Sequence, residues 1–338
     1  TVEGEVLDAS GQLVTDFTGI VNPTVKDSKV TVTCLKNSNK DDSPAFTFTD
    51  YPNTIFIGND SVRNGKFSFT FTVPKDISYS NLQGKMNLYA VDTESGNEAQ
   101  GNFDNFIVGG TSDTAETDTI GPEIRALYLN DTTFVDGGQV NTTPYFVAEL
   151  WDKSGVNITG SSVGHDMMLV IDESTVLSYN LNSYYELLLG EDGTGIVKFP
   201  IPALEPGKHT AEFWVWDILN NSTVRTFTFE VVEGLKPFLF DVIATPGIAR
   251  EQVTFHLMHN RPESRMRVGI MVYDLAGRQL WKHEESGTSG LFENYTVSWD
   301  LTSGGARMRP GVYIYRAAIS TDNSKDATKA RKFIILGE

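Results

Sequence analysis

Two short loops of this chain are dense in oxygen ligands. Asp152-Lys153-Ser154-Gly155-Val156-Asn157 and Asp217-Ile218-Leu219-Asn220-Asn221 each gather carboxylates and amides within a few residues. Through Asp152, Asn157, Asp217 and Asn221 they could serve calcium, which takes about six to eight oxygens. Neither loop alone supplies that many, and an Asx turn closing a hairpin uses the same residues. The expectation is no cofactor, with calcium the one metal left open. Gly164-His165-Asp166 has the residue types for proton transfer, but no nucleophile or activated water stands beside it. A turn in which either side chain bonds local backbone is the preferred reading. Cys34 is the single thiol, and it shares a face with Val30 and Val32 in a strand-like run. That pattern predicts a buried, structural cysteine. No histidine precedes His165 to activate it, so it is not read as a nucleophile. His256, His259 and His283 lack the spacing of zinc ligands. Arg307 and Arg309 lie in the turn Gly304-Gly305-Ala306-Arg307-Met308-Arg309-Pro310-Gly311. Their guanidinium forks could grip an acidic partner, or could simply face solvent.

The elements that must position these residues are strands. β-branched and aromatic residues recur in short runs punctuated by Gly and Asn, and no long segment keeps a helical period. The chain is 338 residues long, room for two or three domains. It has no run of apolar residues long enough for a membrane-spanning helix. A start at Thr1, without Met or a signal peptide, suggests a fragment or a processed chain. One cysteine permits no intrachain disulfide. Charge is uneven: residues 1–235 carry 13 Lys plus Arg against 33 Asp plus Glu, or −20, and residues 236–338 carry 14 against 11, or +3. The sum is the net −17. An acidic body excludes nucleic acid as a partner, since phosphate binding needs clustered positive charge. The mildly basic last part could meet an acidic protein or an anionic surface glycan.

Taken in order, residues 1–110 predict a first sandwich, with strands at 2–7, 13–20, 30–35, 46–48, 54–57, 65–74, 86–92 and 103–108. In the run 65–74, Phe67, Phe69, Phe71 and Val73 fall on one face. Asp92-Thr93-Glu94-Ser95-Gly96-Asn97 is a turn. Residues 111–121 are linker-like in composition. Residues 122–234 predict a second sandwich, with strands near 124–129, 145–151, 167–171, 184–188, 195–201, 209–217 and 226–231. The two share an ending: 67–74, 84–85, 91–92, Asn97 and 106–108 are echoed by 196–202, 207–208, 216–217, Asn221 and 229–231, a degenerate internal repeat. Residues 235–338 make a third sandwich, with strands at 268–273, around 280–281, 297–301, 312–319 and 332–336.

In that last part, Tyr273-Asp274-Leu275-Ala276-Gly277-Arg278, the Trp299-Asp300 pair, Pro310-Gly311-Val312-Tyr313-Ile314-Tyr315-Arg316-Ala317 and the closing Lys332-Phe333-Ile334-Ile335-Leu336 resemble the C-terminal sorting domain of the Bacteroidetes type IX secretion system. They are closer still to the copy kept by that system's sortase, a PorU-type, gingipain-like surface cysteine peptidase family. The family opens this domain with Pro-Asn-Pro, whereas here Thr245-Pro246-Gly247-Ile248 stands. Tyr128-Leu129-Asn130-Asp131, the Asp152 loop, Gly164-His165-Asp166 and Trp216-Asp217-Ile218-Leu219-Asn220-Asn221-Ser222 are similar to the family's middle region, so the likeness spans essentially the whole chain.

The resemblance implies an all-β chain of three tandem immunoglobulin-like β-sandwich domains. It implies an upstream Cys–His peptidase domain that cleaves cargo sorting domains and transfers cargo to lipopolysaccharide at the cell surface. Those catalytic residues are absent here, so this chain is expected to be no enzyme. The implied partners are an outer-membrane β-barrel shuttle protein, the upstream peptidase domain and anionic lipopolysaccharide, with no transmembrane segment. The residues assigned to docking are Tyr273, Asp274, Gly277, Arg278, Arg307, Arg309, Pro310, Gly311, Tyr313 and Tyr315. The rival reading is an exported adhesin or glycan-binding protein with a cleavable sorting domain, in which Trp214, Trp216, Tyr184 and Tyr185 stack on sugars. Asp60-Ser61-Val62, Asp113-Thr114-Ala115, Asp118-Thr119-Ile120 and Asp131-Thr132-Thr133 are similar to the O-glycosylation triplet of exported Bacteroidetes proteins.

Overall fold

A computed structural model of the chain describes every residue except 36–43, 79, 112–117, 161–163, 189–192, 322 and 338. Among the described residues the regular structure is strand, with one 3-10 turn at Asn182–Tyr184 and no helix long and apolar enough to cross a membrane. The strands fall in three consecutive stretches of sequence and build β-sandwich domains. The chain divides into two compact units: Thr1–Leu127 with Ala148–Lys198 and Thr210–Thr226, and Tyr128–Val147 with Phe199–His209 and Phe227–Glu338. The expected linker at 111–121 lies largely outside the described residues, as does the polar loop at 36–43.

The first stretch is organised on Gly19–Lys26, which pairs with Thr54–Ile57, Asp60–Val62 and Lys85–Asp92; Glu98–Phe103 completes the sheet. Its Val21 and Val25 are wholly buried. Pro23 is tolerated inside the sheet although it has no N–H to donate, and its carbonyl accepts from Gly58 N at 3.1 Å. The return strand expected at 13–20 is corrected here. Leu13 makes only a lone bridge to Leu7, and pairing begins at Gly19. The Asp8 carboxylate, whose Oδ1 accepts from Ser10 N (2.8 Å), Ser10 Oγ (2.6 Å) and Gln12 N (2.9 Å), closes the expected turn, but a second turn, closed by Phe17 N on Val14 O (3.2 Å), then interrupts the return.

Three more expectations are corrected. The run 65–74 is a strand only at Lys66–Phe69, because its partner Val2–Glu5 reaches no further than the Val2–Phe69 pair. Phe67 and Phe69 are buried, Phe71 is half-buried against Phe56 with ring centroids 4.8 Å apart, and Val73 is exposed. The chain after the Asp92 turn pairs at once as Glu98–Phe103, so 103–108 keeps only the bridge of Ile107 to Gln83. Cys34 is exposed rather than buried. Among the described residues Val30–Thr33 pairs only with Thr47–Asp50, a strand exposed throughout, and no second layer among them covers the thiol.

In the second stretch, Glu123–Leu129, Tyr145–Trp151, Thr194–Pro200 and Tyr185–Leu187 form a four-stranded sheet in that order. Gln139–Val140, Ser222–Val231, Gly207–Trp216, Met168–Ile171 and Ser178–Asn180 form a five-stranded one. Alternation is clean on Gly207–Trp216, where Ala211, Phe213 and Val215 are buried and Glu212, Trp214 and Trp216 lie on the other face. The repeated Asp turns are alike: Asp92 N bonds Asn97 O and Asp217 N bonds Asn221 O, both at 2.9 Å. The likeness stops at the last strand, since 229–231 lies in a full strand and 106–108 keeps only the Ile107–Gln83 bridge.

In the third stretch, Leu239–Thr245, Val253–His259 and Tyr295–Trp299 make a three-stranded sheet. Ile248–Ala249, Ala327–Ile335, Gly311–Ser320, Met266–Tyr273 and Gln279–Gly287 make a five-stranded one. Both line a single core that includes Phe255, Ile270, Trp299, Tyr315 and Phe333. Burying each such side chain is worth roughly 1.5–3 kcal/mol. With no disulfide available, this packing holds the sandwich together.

Candidate functional site

The strand Tyr145–Trp151 runs straight into Asp152, and Gly207–Trp216 into Asp217. The bridge between Val156 and Asp217 brings the two loops together. Carboxylate oxygens of Asp118, Asp152 and Asp217 then lie within 4.8 Å of one another. Asp217 is fully buried and Asp152 nearly so. Each is an Asx turn: Asp152 Oδ1 accepts from Ser154 N (2.8 Å), Ser154 Oγ (2.6 Å) and Gly155 N (3.0 Å), and Asp217 Oδ1 accepts from Leu219 N (2.9 Å) and Asn221 N (2.7 Å). Burial pushes the Asp217 carboxyl above the usual range and the Asp152 charge adds to it, while the amide donors of Asn221 pull the other way.

Of the four residues read as oxygen donors, the structure unites Asp152 and Asp217, and it adds Asp118, which sequence reasoning missed. Asn221 turns its amide nitrogen inward, donating to Asp217 Oδ2 (2.6 Å) and Asp118 O (3.1 Å). Asn157 belongs elsewhere, beside Asp76. That buried carboxylate accepts from Asn157 Nδ2 (3.1 Å) and Asn220 Nδ2 (3.0 Å), and its Oδ2 lies 2.6 Å from His165 Nδ1. The His165 ring leans on Trp216 at 4.4 Å between centroids. Asp166 pairs instead with Asn182 Nδ2 at 2.7 Å. His165 and Asp166 therefore serve separate partners, and the group fills the hydrogen-bonding positions of one buried carboxyl. Nothing in the sequence around Asp76 marked it as the hub.

In the last sandwich, Tyr273 ends Met266–Tyr273 and pairs with Ile314, near the start of Gly311–Ser320. That register brings the turn 274–278 and the turn 304–310 to one end of one sheet. Asp274 Oδ1 accepts from Ala276 N (3.0 Å) and Arg278 N (2.9 Å), and its Oδ2 takes Arg278 Nε at 2.7 Å. The backbone N–H of Arg278, then its side chain, hold the Asp274 carboxyl below the usual range. Gly277 sits at φ 82°, where a β-carbon is disfavoured. Arg307 Nη2 bonds the carbonyl of Arg250, and Arg250 Nη1 reaches Gly337 O at 3.2 Å. Arg278, Arg307, Arg309 and Pro310 are exposed.

Tyr313 and Tyr315 are corrected: both are buried, with the Tyr313 hydroxyl on Arg309 O (2.6 Å) and that of Tyr315 on Val242 O (3.0 Å). On Gly311–Ser320 they take the inward positions and their alternates face out. The sugar-stacking quartet also divides. Tyr185 is buried, Tyr184 is exposed, and Trp214 and Trp216 are half-buried. In the glycosylation triplets, Ser61, Thr119 and Thr132 are exposed, and the triplet at Thr114 lies outside the described residues.

Comparison with known proteins gives matches among solved structures; no protein-family model and no curated protein matches. The chain is similar, at 38% identity over 99% of its length, to dimeric latent PorU from Porphyromonas gingivalis, TM-score 0.39. It spans 31% of that chain. It is also similar to the Ig1-2 module of the Drosophila receptor protein tyrosine phosphatase DLAR, at 11% identity over 64% of this chain and 98% of that one, TM-score 0.25. The FN1-FN3 domains of chicken CNTN1 match at 8% identity over 96% of each chain, TM-score 0.23.

Proposed function

We propose that this chain is the non-catalytic C-terminal part of a surface sortase of the type IX secretion system. It comprises three tandem immunoglobulin-like sandwiches that space and dock an upstream Cys–His peptidase domain, which processes cargo and joins it to lipopolysaccharide. The last sandwich is a sorting-type domain that is retained and docks on an outer-membrane β-barrel shuttle protein at the cell surface. One observation carries this reading: the two motif-bearing segments, 273–278 and 307–315, which are far apart in sequence, emerge at the same end of one sheet. The residues agree with it along the whole chain, not only in the last domain.

Purified barrel in detergent, mixed with the folded chain, provides the test. The pairs Asp274→Ala/Arg278→Ala and Arg307→Ala/Arg309→Ala are expected to lose barrel capture while staying folded, the first pair melting lower because the Asp274 carboxylate closes its turn. Capture unchanged in both pairs removes the docking assignment. The chain alone is expected to leave a sorting-domain peptide uncut. Cleavage by the purified chain would refute the non-catalytic reading.

A further inference from the structure

Ile248, Ile334 and Val312 are direct cross-strand neighbours on three strands of the five-stranded sheet in the last sandwich. They are 55%, 36% and 40% exposed, because Tyr313, Phe333 and Ile335, one residue on either side, take the inward positions. Scattered exposed aliphatics are ordinary, but three β-branched side chains in one row form a contiguous apolar strip. The next row pairs Lys332 with Ile314 and Ile314 with Tyr273. The one beyond it runs Ala330, Arg316, Met271, Lys282. These three rows contain three cations and no carboxylate. Lys282 is bonded to Glu284 at 2.8 Å, whereas Arg316 and Lys332 have no ion pair among the described residues.

We propose that this outward sheet face is a docking surface for an acidic protein partner. The aliphatic row would form the dry centre, and Arg316 and Lys332 would meet carboxylates at its border. Interfaces enrich arginine around an apolar centre, and complementary charge selects the partner and speeds its arrival. The apolar row of this face is made of β-branched side chains on a pleated sheet, unlike the protruding aromatic wedge of a membrane-inserting surface. The proposal rests on the docking reading above and names the sheet face, rather than the two turns alone, as what the partner covers.

Binding of purified β-barrel to the full chain, measured by biolayer interferometry, tests it with two pairs, Arg316→Glu/Lys332→Glu and Val312→Ser/Ile334→Ser. All four positions are exposed, and circular dichroism melting checks the fold of each pair. Each pair is expected to weaken binding by about tenfold or more, and added salt should weaken the wild type and spare the charge-reversed pair. Wild-type affinity in both pairs overturns the face and leaves the docking reading standing. Absence of wild-type binding removes both. Vesicles of phosphatidylcholine and phosphatidylglycerol, and sedimentation of the chain alone, form the remaining arms. Vesicle binding or self-association abolished by these substitutions, with barrel binding unchanged, reassigns the face to lipid or to a second copy.

Discussion

At the scale of single residues, the carboxylates divide into those the fold relaxes and those it strains. Asp217 is strained: its folded pKa is raised, so the folded chain holds a proton there more tightly than the unfolded chain. Its ionisation therefore costs stability at neutral pH, and that cost is relieved as pH falls through the raised pKa. Asp152→Asn keeps an oxygen for the same three donors and removes the neighbouring charge. The Asp217 carboxyl should then titrate lower, as read by carboxyl carbon NMR; an unmoved titration would mean that Asp152 exerts no push. His259 behaves in the opposite sense. Burial, then the charge of Arg261, depresses it to about 4. Between its ordinary 6.5 and about 4 the unfolded chain takes up a proton that the folded chain refuses, so stability is lost as pH falls through that window. His259→Gln should flatten the acid limb of the melting curve there, and an unchanged limb would clear His259 of the effect. Because N–H and O–H donors already occupy the Asp152 and Asp217 oxygens that define the turns, EDTA is expected to leave the melting temperature unchanged. A rise on adding calcium that EDTA reverses would instead assign Asp118, Asp152 and Asp217 to a cation.

At the scale of elements, turns closed by one aspartate recur in all three stretches of strand: Asp92, Asp217 and Asp274 each collect N–H groups from the residues that follow. The last of these carries the docking motif and depends on Gly277 at φ 82°. Gly277→Ala puts a β-carbon into the left-handed region and should cost about 1–2 kcal/mol, seen as a lower melting temperature. A neutral result would show the turn changing type. In the adjoining sheet, Ile270 is wholly buried between two strands, and Ile270→Ala should cost about 2–5 kcal/mol by chemical denaturation. A cost below that range would mean the core collapses around the gap.

For the whole molecule, the uneven charge is the property that bears on partners: −20 over residues 1–235 and +3 over residues 236–338. The three-domain division is a proposal at this scale. Limited proteolysis with intact-mass readout should yield a stable fragment of about residues 235–338, with cuts falling between the strand that ends at Val231 and the one that begins at Leu239. Cuts spread through the last sandwich would refute the boundary. Intact mass of native protein tests the glycosylation triplets at Ser61, Thr119 and Thr132, where a mass above the bare chain is expected.

Periodicity and turn chemistry, which act between near neighbours, made the strand Tyr145–Trp151, the hairpin turned at Asp274 and the capped Asp92 and Asp217 turns legible from the sequence alone. What the sequence could not decide was whatever depended on a distant partner. Val73 has the same alternation as Phe67 and is exposed because the pairing strand stops at Val2, and Cys34 follows a strand-like run that no second layer among the described residues covers. Pairing likewise turned Tyr313 and Tyr315 inward and set Ile248, Ile334 and Val312 in one row, and the tertiary fold brought Asp118 to Asp152 and Asp217. Alternation says that two faces differ; only the neighbouring layer determines which of them meets water.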